Sequence, residues 1–151
     1  MKYSIEEIPQ QRIAYIRRVG PYGDENSRLM KILKRWAEIT GLLNEATVIL
    51  GVARDDPAIT LPGNCRYDAC ITVSEEYDSM DTGISVASLP GGRYAVFTLI
   101  HTAAAMQTAW SEIFGDLTNG GHCVDNTRPI MERYAANMVA NHLCELCVPV
   151  L

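Results

Sequence analysis

No apolar run in this 151-residue chain approaches the ~20 residues that span a bilayer. Met1-Lys2-Tyr3-Ser4-Ile5-Glu6-Glu7 also lacks the apolar core of a secretory signal. The expectation is a cytoplasmic protein with no membrane partner. Basic charge is scarce as well. Thirteen Lys and Arg against eighteen Asp and Glu leave a formal charge of −5, whereas a phosphate backbone is bound by a focused basic surplus. The basic clusters, Arg17-Arg18 and Lys31/Lys34/Arg35, do not supply one, and the second reads as the solvated side of a helix. No direct binding of nucleic acid is expected.

Chemistry-bearing motifs are equally thin. The cysteines number five, an odd count that fits buried, reduced thiols better than a disulfide framework. Cys144-Glu145-Leu146-Cys147 has the CxxC spacing but no second pair, and in a strand its two thiols point to opposite faces. His101, His122 and His142 show no ligand spacing, so no metal or other cofactor is expected. A Gly-x-Ser-x-Gly elbow is missing. Pro90-Gly91-Gly92 lacks the following helix and the Lys-Ser/Thr ending of a phosphate loop. Nor does a low-complexity linker divide the chain, and residues 1–151 read as one domain.

What is present is an internal duplication. Arg12-Ile13-Ala14-Tyr15-Ile16 alternates like a strand and precedes an amphipathic helix. Arg93-Tyr94-Ala95-Val96-Phe97 does the same before a second helix. Each half then offers two more strands, and the closing ones correspond: Asp68-Ala69-Cys70-Ile71-Thr72-Val73 matches Glu145-Leu146-Cys147-Val148-Pro149-Val150. Periodicity places strands at 2–8, 12–18, 47–53, 67–73, 83–88, 93–100, 130–137 and 143–150. The first helix runs from a cap at Asp24 or Asn26 to about Thr40, with an apolar stripe of Leu29, Ile32, Leu33, Trp36, Ala37 and Ile39. The second covers about 103–118. The predicted class is α+β: two strand–helix–strand–strand units, a curved antiparallel sheet, two helices on one face, and a ligand cleft where the copies meet.

Glu132 is the residue most out of place. In Ile130-Met131-Glu132-Arg133-Tyr134, alternation puts Glu132 on one strand face with Ile130 and Tyr134. A carboxylate among apolar neighbours either finds a partner or gains a raised pKa. A solvated face, or a cross-strand arginine, would account for it without a ligand. Trp36 and Trp110 lie on apolar helix faces, where core packing is the plain reading. Beside a carboxylate, an indole face would also attract a cation.

Several segments in order resemble the GyrI-like small-molecule-binding domain, which is found as the effector domain of AraC- and MerR-type regulators and as the DNA gyrase inhibitory protein. They are Val19-Gly20-Pro21-Tyr22, Asp55-Asp56-Pro57 with Thr60 and Pro62, Arg66 to Val73, Pro90 to Val96, Pro129-Ile130-Met131-Glu132-Arg133-Tyr134, and Val148-Pro149-Val150. The resemblance implies a cleft between the two helices with Glu132 at its floor, facing cationic or polar ligands. Trp110, Tyr134, Tyr67 and Trp36 are the accompanying candidate ligand contacts. His101-Thr102-Ala103-Ala104-Ala105 departs from the family's His-x-Gly-x-Tyr-like turn and implies a roomier, more apolar mouth. Three functions are then in view. One is a stand-alone binder of amphipathic, cationic small molecules. A second is an inhibitor acting on DNA gyrase. The third is a hydrolase of reactive cytotoxic molecules, with Glu132 as candidate catalytic base and Tyr134 or Tyr67 as hydrogen-bond donor.

Overall fold

A computed structural model describes residues 1–151, apart from the side chain at position 136. Eight strands and three helices make an α+β fold. In chain order they are β1 (Ser4–Ile8), β2 (Gln11–Val19), α1 (Asp24–Ile39), β3 (Val48–Ala53), β4 (Arg66–Thr72), β5 (Ser85–Leu89), β6 (Gly92–Ile100), α2 (Ala103–Asn119), β7 (Ile130–Ala135), α3 (Ala136–Ala140) and β8 (Leu143–Pro149). A single 3₁₀ turn, Pro62–Asn64, precedes β4.

The chain forms two compact units, Gln11–Leu89 and Met1–Gln10 with Pro90–Leu151. Within the first, the strand order is β3-β4-β2-β5; within the second it is β7-β8-β6-β1. Each unit pairs the strand before its helix with its closing strand, β2 with β4 and β6 with β8, and every one of these pairings is antiparallel. The edge strand alone is exchanged in sequence: β5 follows its unit, while β1 precedes its own by some eighty residues. The duplication read from the sequence is thus a duplication of topology.

In the first unit α1 lays Met30, Leu33 and Ala37 on Ala14, Tyr67, Ala69 and Ile71. This i, i+3, i+7 set differs from the predicted stripe. Ile32 and Ile39 are 60% and 75% exposed, because both fall on the opposite side of a 3.6-residue helix from Leu33 and Ala37. Capping differs too: the helix starts after Gly23, not at a capping Asp24 or Asn26. The Asn26 side chain instead accepts a hydrogen bond from Arg18, 2.7 Å. Asp24 and Glu25 sit in the first turn, where the helix dipole favours acids.

The face of this sheet away from α1 holds Ile13, Leu50, Val52 and Cys70, all fully buried. Asp68 shares that face at 0% exposure. Two guanidiniums neutralise it: Arg17 from β2 bonds both carboxylate oxygens (2.6 and 2.9 Å), and Arg54, just past β3, adds a third bond at 2.9 Å. Three strands are joined through this one carboxylate. In the second unit the matching residue, Glu145, is also buried and takes a 2.8 Å bond from Arg133, whose other nitrogen reaches Glu6 on β1.

Removing one member of a buried ion cluster leaves uncompensated charge. Asp68→Ala should therefore lower the unfolding free energy by about 3–5 kcal/mol in urea denaturation. Glu25→Ala, which breaks an exposed i,i+3 pair with Arg28, should change it by less than about 1 kcal/mol.

Candidate functional site

The second unit presents β7, β8 and α2 around Glu132. The Cys144 thiol on β8 lies 3.8 Å from the Met106 sulfur on α2, which assigns that sheet face to the helix. Register then carries the face across the strands. Leu99 opposes Cys144, Phe97 opposes Leu146, and Glu132 also opposes Leu146. Glu132 therefore stands on the helix-bearing face, on the strand flanking β8, with buried Leu146 beside it.

Its carboxylate accepts a hydrogen bond from the Tyr134 phenol at 2.6 Å. Arg133, the neighbouring cation in sequence, points to the other face, toward Glu145 and Glu6. Among the described residues, Glu132 forms no salt bridge with a Lys or Arg. The residue keeps some solvent-accessible surface. Even so, enough protein surrounds it that desolvation pushes its carboxyl above the ordinary range, with the Tyr134 bond partly opposing the shift. The result is a recessed, solvent-reachable carboxylate held by a phenol.

Aromatic and sulfur groups line the same unit. The His101 ring packs on Tyr134 with centroids 5.0 Å apart. His101 is held in the turn between β6 and α2 by its backbone N–H, which donates to the His142 carbonyl at 2.7 Å. His142 itself has φ 55°. Thr102 then caps α2 by accepting from the Ala105 N–H, 3.1 Å. Along α2, Met106, Trp110 and Phe114 repeat at four-residue steps and form one ridge; the Trp110 and Phe114 rings lie 6.2 Å apart. Burial and the nearby Glu132 charge push the Cys144 thiol up to about 11, so it stays protonated at neutral pH and is no nucleophile.

Of the residues singled out from sequence, Glu132 and Tyr134 are in direct contact and Trp110 belongs to the same unit. Tyr67 and Trp36 belong to the other unit. There Tyr67 is buried with its ring edge-on to Tyr22, 6.5 Å away, and the Trp36 indole donates to Asp81 at 2.8 Å. His101, Met106 and Cys144 were not anticipated. The Thr102-Ala-Ala-Ala run, a helix cap followed by helix formers, was the available signal for His101, since it places that ring in the turn facing β7.

The two units differ at this position. Asp68 corresponds to Glu145, so the residue opposite Ala69 corresponds to the one opposite Leu146: Gly51 stands where the second unit has Glu132. One copy of the fold carries the carboxylate and the other carries hydrogen.

The GyrI-like small molecule binding domain profile matches residues 1–151. The chain belongs to that family. The SPbeta prophage-derived protein YosT of Bacillus subtilis (strain 168) is 43% identical over 151 residues, 99% of each chain. Among solved structures, the EcmrR C-terminal domain aligns over 100% of this GyrI-like chain and 99% of its own, with TM-score 0.78 and 14% identity. SAV2435, solved bound to tetraphenylphosphonium, aligns over 100% and 94%, with TM-score 0.65 and 17% identity. At those identities the structural likeness establishes the shared fold.

A raised carboxyl pKa disfavours the folded state once the group must ionise. The sign follows from proton linkage: Glu132 favours folding below the ordinary glutamate range, and that contribution is lost as pH rises through its elevated folded value. Glu132→Gln should therefore melt with the wild type at acidic pH and at a higher temperature at alkaline pH. Tyr134→Phe removes the bond that stabilises the carboxylate. It should raise the Glu132 titration further, as read by carboxyl-carbon NMR.

Proposed function

We propose that this GyrI-like chain is a binding module for amphipathic organic cations, with Glu132 as the charge that receives them. The observation carrying this reading is the recessed carboxylate of Glu132, which is desolvated by the surrounding protein, bonded by the Tyr134 phenol and, among the described residues, in no salt bridge with a Lys or Arg, yet partly open to solvent. An incoming cation relieves the desolvation cost that the site otherwise bears. Tyr134, His101, Met106 and Trp110 offer aromatic faces and polarizable sulfur to an apolar body. Tetraphenylphosphonium, named in the SAV2435 structure, has this chemistry and is the probe of choice.

Cation binding must also shift the Glu132 proton. A positive charge beside the carboxylate lowers its pKa, so binding releases protons and tightens as pH rises through the elevated apo value. Calorimetric titration of tetraphenylphosphonium in buffers of different ionisation enthalpy should show that release. Glu132→Gln should abolish the release and weaken affinity by about 1–3 kcal/mol, the worth of a charge-assisted contact. Neutral triphenylphosphine oxide should bind both proteins alike. Equal tetraphenylphosphonium affinity for wild type and Glu132→Gln would refute the assignment. Turnover of a reactive ligand, lost in Glu132→Gln while binding persists, would replace the binder with a hydrolase in which the carboxylate activates water.

A further inference from the structure

The outermost ridge of α1 is unlike that of α2, although the two helices occupy the same position in duplicated units. On α2 the ridge opposite the core consists of Ala104, Thr108, Ser111, Gly115 and Thr118, all exposed and small. On α1 it is Arg28, Ile32, Arg35 and Ile39, spaced four, three and four. Ile32 and Ile39 are 60% and 75% exposed, the Arg28 side chain is 74% exposed, and Arg35 is exposed. At 100° per residue this ridge lies about 180° from Met30, Leu33 and Ala37, so the core makes no use of it. Residues 28–35 contain four of the chain's thirteen basic residues and no acid.

The same unit carries a segment of complementary chemistry. Glu75, Glu76, Asp78 and Asp81 are exposed, and Met80 among them is 100% exposed. Asp81 accepts the Trp36 indole N–H at 2.8 Å, which holds this acidic loop along one flank of α1. Lys31 and Arg35 lie on the other flank.

We propose that the α1 ridge and the 75–81 loop form a self-association surface whose occupant is a second copy of this chain. Charge complementarity and symmetry select the arrangement. A two-fold axis perpendicular to α1 would set loop against loop and basic flank against basic flank. A two-fold along α1 sets each acidic loop against the partner's basic flank and stacks the isoleucines at the centre, with the helices parallel. The same patch on both copies makes a closed, isologous dimer. The participating residues number well below the ~20–30 per side of a standard interface, so association is weak, rises with protein concentration and falls with salt.

Sedimentation equilibrium of the full chain, from micromolar to millimolar concentration at low and high salt, tests this. The wild type should show a monomer–dimer equilibrium that weakens at high salt. Lys31→Glu/Arg35→Glu and Glu75→Lys/Glu76→Lys should each weaken it by about tenfold or more, with unchanged melting curves because every altered side chain is solvent-facing. Mixing the two double variants should restore a heterodimer, since each loop then meets a flank of opposite sign. A wild type that stays monomeric throughout would overturn the proposal. So would a dimer indifferent to both variants, or a mixture that does not recover. A monomer that binds phosphatidylserine-containing vesicles through Lys31 and Arg35 would overturn it equally, because the ridge would then serve a lipid surface.

Discussion

A buried carboxylate clamped by guanidinium is the interaction on which each half of this fold depends. Asp68 has no exposed surface and is bonded by Arg17 and Arg54, which joins β2, β3 and β4 at one point. Glu145 does the same in the second unit, drawing β7 and β1 together through Arg133 and Glu6. Those arginines supply the partners that each acid needs on a face shared with Leu50, Val52, Cys70, Met131 and Cys147. Sheet alignment and charge neutralisation are therefore one constraint.

Glu132 gains its meaning from that comparison. It lies next to Arg133 in sequence, yet the pleat sends the two side chains to opposite faces, and the structural acid Glu145 takes the cation. What remains on the helix side is a carboxylate with a phenol for company. Asp68 and Glu145 are each held by guanidinium groups, whereas Glu132 is held by the Tyr134 phenol. Gly51 shows that the first unit forms with no side chain at the corresponding place.

Much of this was legible beforehand, because strand alternation, Gly-Pro punctuation and the repeat are local or directly comparable features. The eight strands and two long helices fall where periodicity places them. Predicted strand 130–137 ends instead at Ala135 and turns into the short α3. Helix faces were harder. Ile32 and Ile39 look like core residues because they are apolar, but Met30 takes the inward place by angular position. Asn26 looks like a cap until Arg18, a neighbour through a turn, recruits its side chain.

By itself the sequence determined the class of fold, its duplication and the identity of the anomalous acid, since these depend on pattern along the chain and on family likeness. Which acids are neutralised was decided by tertiary structure. Asp68 and Arg17 stand 51 residues apart, and Arg133 and Glu6 127 apart, so no spacing rule links them. The same holds for His101 against Tyr134 and Cys144 against Met106. A charge's energy depends on what folding brings within a few ångströms of it, and that is fixed by strand register and helix docking in three dimensions.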